Sequence, residues 1–161
     1  MITKSLPNPS ILYAGISGST TYNNTRFYGF YKTTDGGDSW QQVITSPDNF
    51  YSSQGWYNNV LTVDPLNPEI VYLGGIYLYK STNSGADWST IGFNIHVDQH
   101  AIEFLPSDNS TVYIGNDGGM YKSTDSGNSF SILNDGLTTL QFYLMGSDPN
   151  NSSIVFGGTQ D

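Results

Sequence analysis

The stretch YIGNDGGMYKSTDSGNSF, Tyr113–Phe130, reads as a short strand, a Gly-rich turn, a second strand and a closing turn of the form Ser-x-Asp-x-Gly-x-x-aromatic. The closing pattern recurs as Thr33-Thr34-Asp35-Gly36-Gly37-Asp38-Ser39-Trp40 and as Ser81-Thr82-Asn83-Ser84-Gly85-Ala86-Asp87-Trp88. A short polar side chain at its third position can accept backbone N–H bonds within the turn. Glycine at the fifth supplies a positive φ, and the final aromatic packs between neighbouring units. Asp35, Gly37 and Trp40, then Asn83, Gly85 and Trp88, then Asp125, Gly127 and Phe130 are therefore expected to be structural.

A second pattern precedes each of these. Ile2 to Gly15, Leu61 to Gly74, Ile102 to Gly115 and Ser147 to Gly157 each read as strand, Pro/Asn turn, strand. Joined to the Gly-rich segment and the closing turn, each repeat holds four short antiparallel strands, A to D, which is the sequence form of a β-propeller blade. The expected fold is all-β: blade 1 over about 1–45, blade 2 over about 58–92, blade 3 over about 99–134, and half a blade over about 139–161. Propellers close with about four to eight blades. The ring is thus expected to be incomplete here, its remaining blades coming from the rest of a larger chain or from another chain. The polar run Gly18 to Arg26 reads as a loop.

The 161 residues have a formal net charge of −9, with five Lys+Arg. That balance argues against nucleic acid and anionic membrane as partners, because neither could be neutralised. No apolar run approaches the roughly 18 residues of a membrane span, so no membrane insertion is expected. There is no cysteine, hence no disulfide or thiolate metal site. Few charges and many Tyr, Gly, Ser, Asn and Thr suit an extracellular or cell-surface protein, though the first residues carry no export signal. No cofactor is expected.

In a blade, the A–B and C–D turns lie at one end, and the B–C and D–A connections lie at the other. Every long, aromatic or His-bearing segment falls at the second end, where irregular loops held on regular strands carry function. Phe50, Tyr51, Trp56 and Tyr57 are candidates for stacking on sugar rings, and they also suit packing between blades. In His96-Val97-Asp98-Gln99-His100, extended alternation would put His96, Asp98 and His100 on one side. They are candidate ligand contacts; the spacing fixes no further ligand, so no metal is assigned. Asp117, in Gly115-Asn116-Asp117-Gly118-Gly119, can be an acid–base carboxylate or simply part of a tight turn.

The eight-residue pattern resembles the Asp-box of the bacterial-neuraminidase repeat, found in sialidases, sortilin-like receptors and xyloglucanase-type glycoside hydrolases. The resemblance implies a β-propeller over nearly the whole chain. In the xyloglucanase-type hydrolases a catalytic carboxylate ends strand B before a Gly-Gly-x-Tyr strand; Asp117 looks like a match, and Asp161 lies near the equivalent place one blade later. Sialidases hold their substrate with an arginine cluster, whereas this chain has the single Arg26. The expectation is a non-catalytic or structural propeller segment that presents a loop face to a carbohydrate or protein ligand. Part of a glycoside hydrolase using Asp117, and a sortilin-like peptide receptor, are the alternatives.

Overall fold

The computed structural model describes residues 1–19, 25–44, 50–137 and 142–159. Among these there is no helix; the fold is all-β. Its strands are Ile2–Lys4 (β1), Leu12–Ser19 (β2), Thr25–Thr33 (β3), Gln41–Ile44 (β4), Val60–Val63 (β5), Val71–Gly74 (β6) and Leu78–Ser81 (β7). They continue as Ser89–Ile91 (β8), Gln99–Leu105 (β9), Asp108–Asn116 (β10), Gly119–Ser123 (β11), Ser131–Ile132 (β12), Phe142–Asp148 (β13) and Asn151–Thr159 (β14). Three four-stranded antiparallel sheets, each joined in sequence order, are followed by the hairpin β13–β14. These are propeller blades: strands neighbouring in sequence pair within each sheet, and only the D–A connections pass from sheet to sheet.

The three closing turns share one hydrogen-bond pattern. Gly37, Gly85 and Gly127 donate their N–H to the Thr33, Ser81 and Ser123 hydroxyls, at 3.1, 2.8 and 2.8 Å. The carboxamide or carboxylate at the third position accepts the N–H four residues on: Ser39 to Asp35, Asp87 to Asn83 and Ser129 to Asp125. The Ser39 hydroxyl, with that of Thr33 and the Ser39 N–H, holds Asp35 well below the ordinary carboxylate range. The Ser129 hydroxyl and N–H, then the Ser123 hydroxyl, pull Asp125 down to about 2. Gly85 has φ +87°, and a Cβ there would overlap the Phe30 ring. Only glycine permits both the backbone and the approach.

The terminal aromatics of the second and third turns pack back onto the preceding sheet. Trp88 meets Phe30 edge-on at 5.2 Å, within a core shared by the first two sheets that includes Tyr13, Leu61 and Leu73. Phe130 closes the core of the second and third sheets with Tyr72, Leu78, Ile102 and Ile114. Trp40, the first copy, has no preceding sheet among the described residues and is 39% exposed. Each large apolar side chain buried here contributes about 1.5–3 kcal/mol.

One segment departs from the sequence reading. Part of the expected loop over 18–26 is strand: Gly18 pairs with Arg26 and Ser19 with Thr25, past a bulge at Ile16–Ser17. The prolonged hairpin carries Phe27, buried against Phe50 at 4.9 Å and Tyr51 at 5.6 Å. Burial of Phe27 drives the extension where polar composition suggested a loop.

Candidate functional site

The B–C and D–A connections meet at one end of the sheets, where three segments are knitted together. Residues 51–58 turn back on themselves, with the N–H groups of Tyr57 and Asn58 both donating to Gln54 O at 2.8 Å. The buried Asn58 side chain donates to Gln54 Oε1 at 2.9 Å and to Asp98 Oδ1 at 2.5 Å. Residues 96–99 lie against the second sheet through Asp98 N–H to Ile76 O and Gln99 N–H to Gly75 O, each 2.9 Å. Buried Gln99 and Asn116 both donate to His96 O at 2.8 Å, and Asn116 Oδ1 accepts Gly118 N–H at 3.0 Å. This layer of amides fixes the floor on which the exposed side chains stand.

On that floor lies a row of four. Trp56, 64% exposed, sits 5.3 Å ring to ring from Tyr57, tilted by 39°. The Tyr57 ring meets the His100 ring edge-on at 4.5 Å. His100 Nε2 lies 2.6 Å from Asp117 Oδ1, the two side chains being 31% and 40% exposed. A carboxylate only accepts, so Nε2 carries the proton in this bond.

A β-bulge aims the histidine. Between β9 and β10, Ala101 faces Gly115 and Gln99 faces Asn116, so His100 is the extra residue in β9. Bulges re-aim a side chain and cluster near functional sites. Here the bulge turns His100 toward Asp117, in the connection Asn116 to Gly119. Packing is tight enough that a Cβ on Gly118 would overlap His96.

Several expected residues do not converge on this row. Phe50 and Tyr51 are 4% and 0% exposed; their rings belong to the core between the first two sheets and cannot face a ligand. Phe27 and Trp88 cover them, so of the two readings the sequence left open for this pair, packing between blades is the one the structure shows. His96, Asp98 and His100 do not share one side either. Asp98 has φ +65°, which breaks the alternation, and its carboxylate is engaged by Asn58. His96 Nδ1 lies 3.0 Å from Val97 O. Among the described residues no group of three or more His, Asp or Glu could hold a metal ion. Asp161 lies outside the described residues. Asn58, Gln99 and Asn116 were missed: an amide before β5, one at the start of β9 and one at the end of β10 form no pattern in the sequence.

No protein-family model matches the chain. It is 25% identical over 171 residues to a xyloglucanase of Hypocrea jecorina (strain QM6a), covering 90% of this chain and 19% of that protein. The GH74 enzyme of Niastella koreensis superposes with a TM-score of 0.62 at 27% identity, over 81% of this chain and 22% of its own. The GH74 xyloglucanase of Xanthomonas campestris gives 0.69 at 16% identity, over 92% of this chain and 25% of its own. The chain spans about a fifth to a quarter of the length of these three proteins. It is a β-propeller segment, similar to part of these hydrolases.

Proposed function

We propose that the end bearing Trp56, Tyr57, His100 and Asp117 binds carbohydrate, as one part of a secreted glycoside hydrolase-like propeller whose closing turns are Asp-boxes. The row of Trp56 and the His100–Asp117 pair carries this reading. A sugar ring offers two recognition surfaces: axial C–H groups that stack on a π-face, and hydroxyls that need acceptors. Trp56 supplies the first. Asp117 supplies the second, since His100 occupies Oδ1 and leaves Oδ2 for a hydroxyl. The amide floor keeps both in place, so little ordering cost falls on binding. The likeness to xyloglucanases supports a β-glucan backbone with branches as the ligand class.

The test is calorimetric titration of the chain with xyloglucan oligosaccharides, beside Trp56→Ala and Asp117→Ala. Each variant is expected to weaken binding at least about tenfold, or about 1.4 kcal/mol. Trp56→Ala should leave the melting temperature nearly unchanged, as surface substitutions usually do. Unaltered affinity in both variants would remove the site from consideration.

A second reading, hydrolysis through Asp117, is favoured by the same relative. Glycoside hydrolysis needs two carboxyl groups about 5–10 Å apart. Release of reducing sugar that disappears in Asp117→Asn would establish it; retention without release leaves a binding surface.

A further inference from the structure

Both histidines of the segment 96–100 have their protons placed by what they face. His100 Nε2 lies 2.6 Å from Asp117 Oδ1, and His96 Nδ1 lies 3.0 Å from Val97 O. A carboxylate and a carbonyl oxygen only accept, so the proton sits on Nε2 of His100 and on Nδ1 of His96. In a neutral imidazole the other nitrogen keeps its lone pair. Nδ1 of His100 and Nε2 of His96 are therefore acceptors. Neither ring makes a second hydrogen bond among the described residues, and both residues are exposed.

Their surroundings differ. His100 stands in the row, held between the Tyr57 ring, edge-on at 4.5 Å, and Asp117, with the bulge in β9 setting its backbone. His96 is anchored instead through its main chain, where O accepts from Gln99 and Asn116.

The charges around His100 have one sign. Asp98 precedes it, Asp117 pairs with it, and Tyr57 and His96 are the other titratable groups of the segments that meet here. Residues 51–58, 96–101 and 114–121 hold no lysine or arginine. β5 and β6, packed against β9, carry no charged residue. Glu103 and Asp108 lie further along β9 and β10, toward the opposite end of the sheet. A ligand thus meets two acceptors, Asp117 Oδ2 and His100 Nδ1. Hydroxyls can donate to both. A uronate carboxylate or a sulfate cannot, and Asp117 repels it with no cation in these segments to offset the repulsion.

We propose that His100 is a specificity-determining residue: its Nδ1 accepts a hydrogen bond from a ligand hydroxyl, so this end takes neutral glycans and rejects acidic ones. The proposal rests on the carbohydrate reading above and adds to it a residue and a polarity. A hydroxyl that donates to Nδ1 favours the neutral ring. By linkage, binding lowers the pH at which His100 takes up its second proton, and affinity weakens as the pH falls through that point.

The test is a long-range proton–nitrogen correlation spectrum of the histidines in the isotopically labelled chain, recorded across pH with and without neutral xyloglucan oligosaccharides. Without ligand, His100 should show a bare Nδ1 and a protonated Nε2, and His96 the reverse; the opposite pattern at His100 overturns the proposal. Saturating oligosaccharide should move the His100 Nδ1 resonance, leave His96 Nε2 in place and lower the titration midpoint of His100. His100→Gln, whose amide N–H can keep the bond to Asp117, should lose about three- to tenfold in affinity for the neutral ligand and with it the weakening in acid. Oligogalacturonates of equal length should bind the parent chain at least about tenfold more weakly than the neutral ligand. Binding that leaves Nδ1 unmoved, a midpoint that rises, or acidic oligosaccharides held as tightly as neutral ones overturns this proposal while the carbohydrate reading stands. No binding of either kind removes both.

Discussion

Tyr51 separates two roles that one aromatic residue can play. Its ring fills the space between the first two sheets, yet its hydroxyl is buried with no hydrogen-bond partner among the described residues. Burial pushes that phenol far above the ordinary tyrosine range, so it stays protonated. Removing an unpaired buried hydroxyl while keeping the ring should be neutral to stabilising, by up to about 1 kcal/mol. Tyr51→Phe is expected to melt at or slightly above the parent temperature, and a drop of several degrees by circular dichroism would show that the hydroxyl is satisfied. Sequence alone could not assign this role. Trp56 and Tyr51 are similar in type and five positions apart, and only the packing of Phe27 decides which is covered. His100 and Asp117 were likewise legible as separate candidates. Their union depends on a bulge that no alternation pattern reports.

At the level of the element, the closing turns were the most legible part of the chain because their chemistry is local. A hydroxyl, a carboxylate and a glycine within five residues determine the turn, whatever surrounds it. Blade two shows that the charge is dispensable: Asn83 accepts the Asp87 N–H as its aspartate counterparts do, and its amide also donates to Asp87 Oδ2 at 2.8 Å. The charged copies bring a pH dependence instead. Asp125 is held at about 2 and Asp35 lies lower still, and outside the closing turns Asp108, at the start of β10, is held at about 2 chiefly by the Ser110 hydroxyl. A carboxylate whose folded value is depressed adds stability above its unfolded value, near 4. That stability is lost as the pH falls toward the folded value. Tm should therefore hold from neutrality to about pH 4 and decline between about pH 4 and 2. Asp125→Asn should shallow the decline with the fold intact, and Asp125→Ala should lower Tm at neutral pH as well. A decline equally steep in Asp125→Asn would show that other groups govern acid unfolding.

Over the whole molecule, the two buried cores lie between adjacent sheets. Phe27 reaches from the long first hairpin to Phe50 and Tyr51, and so joins the first sheet to the segment that carries Trp56. Phe27→Ala should cost about 3–5 kcal/mol. It should also weaken oligosaccharide binding, because the support of residues 51–58 is lost; a thermal melt and a titration on the same sample check both. The four-strand repeat was readable because each copy brings its own turns. The order of contacts between copies was not, since tyrosine and lysine in a strand look like ordinary surface residues.

That order has a direction. Tyr13 and Lys32 of the first sheet donate to Pro68 O and the Ser84 hydroxyl of the second, and Tyr72 and Lys80 both donate to Ser126 O of the third, so at each joint the donors precede, in the sequence, the groups they hold. A polypeptide made from its N-terminus thus has the gripping half of each joint in hand before the ribosome has released the half to be gripped. The blades are laid like courses of tile, each reaching for the next.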